Sequence, residues 1–147
     1  MRPYLRSGVT DAEIDDAFNK FLVGIPEYRL DELKKLRKAG FKIYMLSNTN
    51  PIMWHSKIAD EFRKQGLDGP ESYFDGIVTS FRAKVMKPQK GIFDYAQAQL
   101  GIRPEETIFL DDSQANLDAA SKLGYETLLV TPGAEFATLL ATKGINI

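Results

Sequence analysis

The sequence predicts an α/β fold in which a parallel sheet carries helices on both faces, and three observations support this. From residue 42 onward, short strand-like runs alternate with helical stretches. The first of them, Lys42-Ile43-Tyr44-Met45-Leu46, is apolar rather than alternating, which suits a strand buried on both faces. Glycines stand where the intervening helices should stop, at Gly40, Gly101 and Gly124.

Taken in order, residues 10–23 read as a helix. Thr10 and Glu13 form a capping box, and Ile14, Ala17, Phe18, Phe21 and Leu22 make one apolar stripe. Gly24-Ile25-Pro26 breaks it. A second helix runs to about Ala39, with Leu30, Leu33 and Leu36 inward and Lys34, Lys35, Arg37 and Lys38 outward. Residues 42–46 are the first strand. Asn50 and Pro51 then start a helix, as N-cap and first helical residue, that continues to about Gln65. Residues 66–70 are a turn region, 76–79 a strand and 80–88 a loop. A helix near 89–100 leads to a strand at 107–110. Another helix runs to Leu123, followed by a last strand at 126–130 and a short helix at 134–142.

Composition sets bounds on function. A chain of 147 residues fits one domain. Its 44% hydrophobic and 27% charged content is that of an ordinary globular protein. A net charge of −1, with both signs mixed, argues against nucleic acid or an anionic membrane as partner. The absence of cysteine excludes disulfides, thiolate zinc sites and cysteine nucleophiles, and fits a reducing cytoplasm. The opening MRPYLRSGVTDAE has no apolar core of a secretory signal.

In open parallel sheets, ligands bind beyond the carboxyl ends of the strands. After the first strand comes Ser47-Asn48-Thr49, after the second Lys87-Pro88, and after the third Asp111-Asp112. A hydroxyl, an ammonium and a carboxylate pair thus converge on one rim. Alone, each has a plain reading: Ser47 as a turn former, Lys87 as a solvated surface lysine, and the acids as a helix cap. Together they suit phosphoryl transfer, which rests on positioning and charge neutralisation. The hydroxyl can hold phosphate oxygens, the lysine can neutralise them, and the acid pair can hold Mg²⁺. His55, the sole histidine, and Trp54 follow the first of these segments and read as packing or surface residues.

The set resembles the haloacid dehalogenase superfamily. Leu46-Ser47-Asn48-Thr49-Asn50 is similar to its second motif. Lys87-Pro88 with Ile92-Phe93 is similar to its third. Ile108 to Ser113 with Asn116 is similar to its fourth, in the DDxxxN form. The likeness covers residues 26–140 and is nearest to the subfamily with a helical cap. That subfamily includes sugar-phosphate phosphatases, haloacid dehalogenases and the N-terminal domain of some epoxide hydrolases. The resemblance implies a Rossmann-like three-layer α/β/α core over 26–147 and a remnant of a helical cap over 1–25. It implies that Ser47 and Lys87 are catalytic, that Asn48 shapes the phosphate pocket, that Asn116 braces the acidic loop, and that Asp111 and Asp112 bind Mg²⁺. The activity implied is a phosphatase acting on a small phosphorylated metabolite through an aspartyl-phosphate.

One departure matters. The family's first motif, DxDx[TV] after an apolar strand, supplies the attacking aspartate, and this sequence does not contain it. Asp15-Asp16 and Asp31-Glu32 lie in helical stretches, and Ser113 takes the second-acid place after Asp111. The missing strand is central in the family, between those ending at Leu46 and Leu110. The expectation is a truncated chain, inactive alone: a fragment whose missing N-terminal segment would fill the gap, or a chain whose flanking strands close up, or one that self-associates or swaps to fill the gap. Lys87 is expected to be exposed in its pocket. The alternative is a non-catalytic domain that binds phosphate, metal or another protein.

Overall fold

The structure is a computed structural model that describes residues 27–64 and 69–147. The helix expected over 10–23, its capping box and the cap remnant over 1–25 lie outside the described residues. The elements are α1 (Glu27–Lys38), β1 (Tyr44–Ser47), α2 (Pro51–Met53), a π-helical turn (Trp54–Ile58), α3 (Ala59–Arg63), β2 (Gly76–Thr79), α4 (Ser80–Ala83), α5 (Lys90–Leu100), β3 (Ile108–Asp111), α6 (Gln114–Lys122), β4 (Glu126–Leu129) and α7 (Phe136–Ala141).

Helix α1 forms for the reasons its sequence offers. Leu30, Leu33 and Leu36 are buried on one stripe, Glu27 stands in the first turn, and Lys35, Arg37 and Lys38 stand in the last, complementing the helix dipole. Glu32 is buried as well. Arg29 donates to it at 2.7 Å, and it accepts the Phe136 N–H at 2.5 Å, so α1 supplies the anionic cap of α7. Gly40, Gly101 and Gly124 have φ of 95°, 65° and 97°, as helix stops require.

The expectation of parallel strands holds, but they do not form one continuous sheet. Strands β1 and β2 pair in parallel with Ser47 opposite Thr79, and β3 and β4 pair in parallel with Asp111 opposite Leu129. The two pairs are separate two-stranded sheets. The flanking strands β1 and β3 therefore have not closed up on each other, which corrects one of the three expected outcomes. Helices tie the pairs together on both faces. On one face, Leu46 of β1 and Phe109 of β3 pack on a shared cluster of Ile92, Phe93, Ala96 and Ala120 from α5 and α6. On the other, Ile43, beside β1, joins Ile108 and Leu110 around Leu36, Leu128 and Leu140.

Between β1 and β3 lies a cavity of about 730 Å³, reached by Tyr44, Met45 and Leu46 on one side and Ile108, Phe109 and Leu110 on the other. It corrects a second expectation. Every residue of β1 is only half-buried, as are Ile108 to Leu110 of β3, although their sequences read as strands buried on both faces. The open edge is the physical reason.

Three smaller corrections concern boundaries. The first strand starts at Tyr44 rather than Lys42. At Ile43 the ladder gives way to a side-chain cap: the N–H donates to the Asp75 carboxylate at 2.8 Å, and the C=O accepts from the Asp75 N–H at 2.7 Å. Residues 80–83 form a single helical turn rather than loop, ended by Lys84 at φ 57°. The helix after Pro51 contains a π-turn at Trp54–Ile58, and its Ser56 hydroxyl donates back to the Ile52 C=O at 2.6 Å. Among the described residues, no helix is long and apolar enough to cross a membrane.

Candidate phosphate and metal site

The carboxyl ends of β1, β2 and β3 meet at one rim. Strand β1 ends at Ser47, which is half-buried, and the chain then turns outward through exposed Asn48. The turn is fixed by Ser80, at the end of β2. The Ser80 hydroxyl donates to the Thr49 C=O at 2.9 Å and accepts the Thr49 N–H at 3.0 Å. Asn50 then caps the following helix by accepting the Met53 N–H at 2.9 Å.

Asn48 is matched with the backbone of Lys87. Its amide donates to the Lys87 C=O at 3.0 Å, and its carbonyl oxygen accepts the Lys87 N–H at 2.9 Å. The Lys87–Pro88 peptide is cis. This pairing aims the Lys87 side chain across the gap between the strand pairs, with its ammonium 5.6 Å from the centre of the Phe109 ring. There Nζ donates to Asp111 Oδ2 at 2.6 Å. The two side chains are 10% and 5% exposed, so Lys87 is nearly enclosed rather than open in its pocket as expected. What encloses it comes from β3, 20 or more residues further along the chain, and no local signal in its own segment announces this.

The other oxygen of Asp111 is held too. Oδ1 accepts the Ser113 N–H at 2.8 Å and the Asn116 side-chain amide at 3.1 Å, and Asn116 is itself buried. Burial alone would push the Asp111 carboxyl up. The bond from Lys87, the Ser113 N–H, the lysine charge and the Asn116 amide together outweigh it and hold the carboxyl below its ordinary value. Asp111 is thus an anion under all near-neutral conditions, and Asp112 beside it is exposed to solvent.

The structure therefore brings Ser47, Asn48, Lys87 and Asp111, with Asp112, to one rim, as the sequence order suggested. His55 does not join the group: its ring lies 6.3 Å from that of Phe81, edge to face. Sequence reasoning missed Ser80. Its only signal was its position immediately after a strand, facing the Thr49 turn.

Residues 8–124 match the haloacid dehalogenase-like hydrolase family. The chain belongs to that family. It is 31% identical over 128 residues to D-ribitol-5-phosphate phosphatase of Bacteroides thetaiotaomicron, a match covering 87% of this chain and 61% of the relative. It is 29% identical over 114 residues to (S)-2-haloacid dehalogenase 4A of Burkholderia cepacia, covering 74% of this chain and 46% of that one. Among solved structures, a haloacid dehalogenase-family enzyme of Bacteroides thetaiotaomicron in complex with magnesium and inorganic phosphate superposes with a TM-score of 0.83 at 38% identity. That match covers 94% of this chain and 69% of the other. The fold is thus the Rossmann-like one of the haloacid dehalogenase family. The chain spans about 61% and 46% of the length of these two curated relatives.

Proposed function

We propose that the rim is the phosphoryl-handling site of a Mg²⁺-dependent phosphohydrolase acting on a small phosphorylated metabolite. The observation that carries the reading is the enclosed Lys87–Asp111 pair at 2.6 Å, set at the carboxyl ends of strands from both halves of the fold. A lysine so held is a fixed positive charge, which phosphoryl transfer needs where charge develops. The relatives point to the same chemistry and make sugar-alcohol phosphates the first substrates to test.

Asp111 and Asp112 are the residues that would hold Mg²⁺. Their donor set fits: a carboxylate kept ionised by its neighbours beside an exposed one offers hard oxygen ligands, and Mg²⁺ commonly takes one or two carboxylates together with phosphate oxygens and water. Bound there, the ion would neutralise phosphate charge. The chain's own residues do the rest. Ser47 donates its hydroxyl to a phosphoryl oxygen. Asn48 fixes the backbone from which Lys87 projects, and Lys87 balances negative charge on the phosphoryl group and the attacking carboxylate. Asn116 and the Ser113 N–H keep Asp111 oriented. Attack by an aspartate from an apolar strand ending DxDx[TV] forms an aspartyl-phosphate as the ester oxygen leaves, and water then releases phosphate. That aspartate is not supplied by the described residues.

The test is hydrolysis of p-nitrophenyl phosphate and ribitol 5-phosphate with and without Mg²⁺. It would use the 147-residue chain and a version extended by an upstream strand ending DxDx[TV], each with Asp111→Ala as control. Mg²⁺-dependent release of phosphate by the extended version, lost in the control, supports the reading. An extended version that folds, binds Mg²⁺ and stays inactive favours a non-catalytic phosphate- or metal-binding domain.

A further inference from the structure

We infer that Thr79, at the end of β2, is a positioning residue: its hydroxyl donates to the Ser47 hydroxyl oxygen and so turns the Ser47 proton towards a phosphoryl oxygen at the rim. The inference rests on the proposed function and adds one residue to it.

The observation behind it is a buried donor with nothing to bond. Thr79 is fully buried, and among the described residues its hydroxyl has no hydrogen-bond partner. Most buried side-chain polar atoms in folded proteins have one, and an unmet one destabilises the fold. Valine has the same branched outline, suits a strand equally and carries no such penalty. Packing alone therefore gives no reason for a hydroxyl at this position.

Strand register supplies the partner. Ser47 stands opposite Thr79 in the parallel ladder of β1 and β2. The packing of the preceding pairs shows which face they share. Met45 and Ile77, opposite each other and two residues earlier, both pack on the cluster of Leu30, Trp54, Ile58 and Phe62. Leu46 and Val78, the pair between, both belong with Ile92 and Phe93 on the other face. Alternation returns Ser47 and Thr79 together to the first face. Adjacent strands run about 4.8 Å apart, so hydroxyls on two neighbouring β-carbons of one face come within bonding reach by rotation about χ1. Serine and threonine on adjacent strands form bonds of this kind.

The other polar side chains around this turn are already engaged. The Ser80 hydroxyl works both ways on Thr49, donating to its C=O at 2.9 Å and accepting its N–H at 3.0 Å. The Asn48 side chain is bonded to the Lys87 backbone. Thr79 is the donor left beside Ser47. Residues 47, 48 and 49 are then each held from outside their own segment, by Thr79, Lys87 and Ser80 in turn. A serine hydroxyl has one proton to give and two lone pairs to accept with. Once a phosphoryl oxygen takes that proton, a donor behind the serine oxygen strengthens the bond in front of it. Ser47 is half-buried and reaches the rim, whereas Thr79 is wholly enclosed, so it acts through Ser47 and does not touch substrate.

The test measures the affinity of the full 147-residue chain for inorganic phosphate in the presence of Mg²⁺, by phosphorus NMR titration. The parent is compared with Thr79→Val, Thr79→Ser, Ser47→Ala and the double variant Ser47→Ala with Thr79→Val. Thermal midpoints taken without phosphate report on the fold. Thr79→Val should melt no lower than the parent, yet bind phosphate roughly two- to tenfold more weakly, the contribution of one neutral hydrogen bond. Thr79→Ser keeps the hydroxyl and should stay near the parent. In the Ser47→Ala background, Thr79→Val should add no further loss, because the two hydroxyls act as one unit. Parental phosphate affinity in Thr79→Val overturns the inference and leaves the phosphohydrolase reading standing. An undiminished loss in the Ser47→Ala background does the same, since the effect then bypasses Ser47. So does a lower midpoint for Thr79→Val without phosphate, which would mean that the hydroxyl is bonded within the resting fold. A parent chain that binds no phosphate is a different result: it sinks the phosphohydrolase site, and the inference falls with it.

Discussion

The rim and the cavity are one residue apart along the same strands, and they are opposite kinds of surface. At the rim both oxygens of Asp111 are satisfied, by Lys87 on one side and by Ser113 and Asn116 on the other. One step down, apolar residues of β1 and β3 stand half-exposed against empty space. The polar site has therefore closed without a strand between its halves, while the apolar layer beneath it has not. The difference teaches that the two are held by different things. The rim is set by short directional bonds among loops, whereas the cavity is set by helices that bridge from above and below.

The largest expected effect breaks the rim. Asp111→Ala leaves an ammonium that is nearly enclosed without its partner, a change that typically costs about 3–5 kcal/mol. Urea denaturation should show it, and adding Lys87→Met should recover part of the loss. The cavity supplies the contrast. Ile92→Ala, a fully buried residue of α5, should cost about 2–5 kcal/mol. Leu46→Ala, which already borders empty space, should cost clearly less by the same measurement, because fewer contacts are there to lose. Equal losses would mean that the cavity is filled in solution.

Acid offers a finer probe. The Asp111 carboxyl is held low in the folded chain, so the unfolded chain binds its proton first on acidification. The stability this contributes is complete above the ordinary aspartate value of about 3.9 and is lost as pH falls through the depressed folded value. Thermal midpoints below pH 4 should therefore fall more steeply for the parent chain than for Lys87→Met. Asn48→Ala removes two bonds to the Lys87 backbone at an exposed site and should cost about 1–2 kcal/mol, seen as a lower urea midpoint. The smallest effect is expected at Lys90→Ala, which loses an exposed i,i+4 pair with Asp94 and should cost about 0.3–0.5 kcal/mol.

Much of this was legible in the sequence because it is local. Residues 76–79 form a strand as read, and the glycine stops at 40, 101 and 124 hold. The convergence of Ser47, Lys87 and Asp111 followed from strand order alone. What escaped notice depends on neighbours distant in sequence. The π-turn at Trp54–Ile58 has the same apolar stripe as an ordinary helix. The turn at Ser80–Ala83 is too short to show a period. The enclosure of Lys87 depends on Phe109 and Asp111, which nothing near residue 87 reveals.

Each parallel strand pair is also a nearly self-contained length of chain, β1 with β2 inside residues 44–79 and β3 with β4 inside 108–129. Among the described residues no backbone ladder joins them. Cooperativity between the halves then passes through side chains, such as the cluster on which Leu46 and Phe109 both pack, leaving a seam along which the two ladders can open separately. Amide exchange should follow that seam, with the two ladders opening at different free energies, and whatever comes to occupy the lane between them would fuse two unfolding events into one.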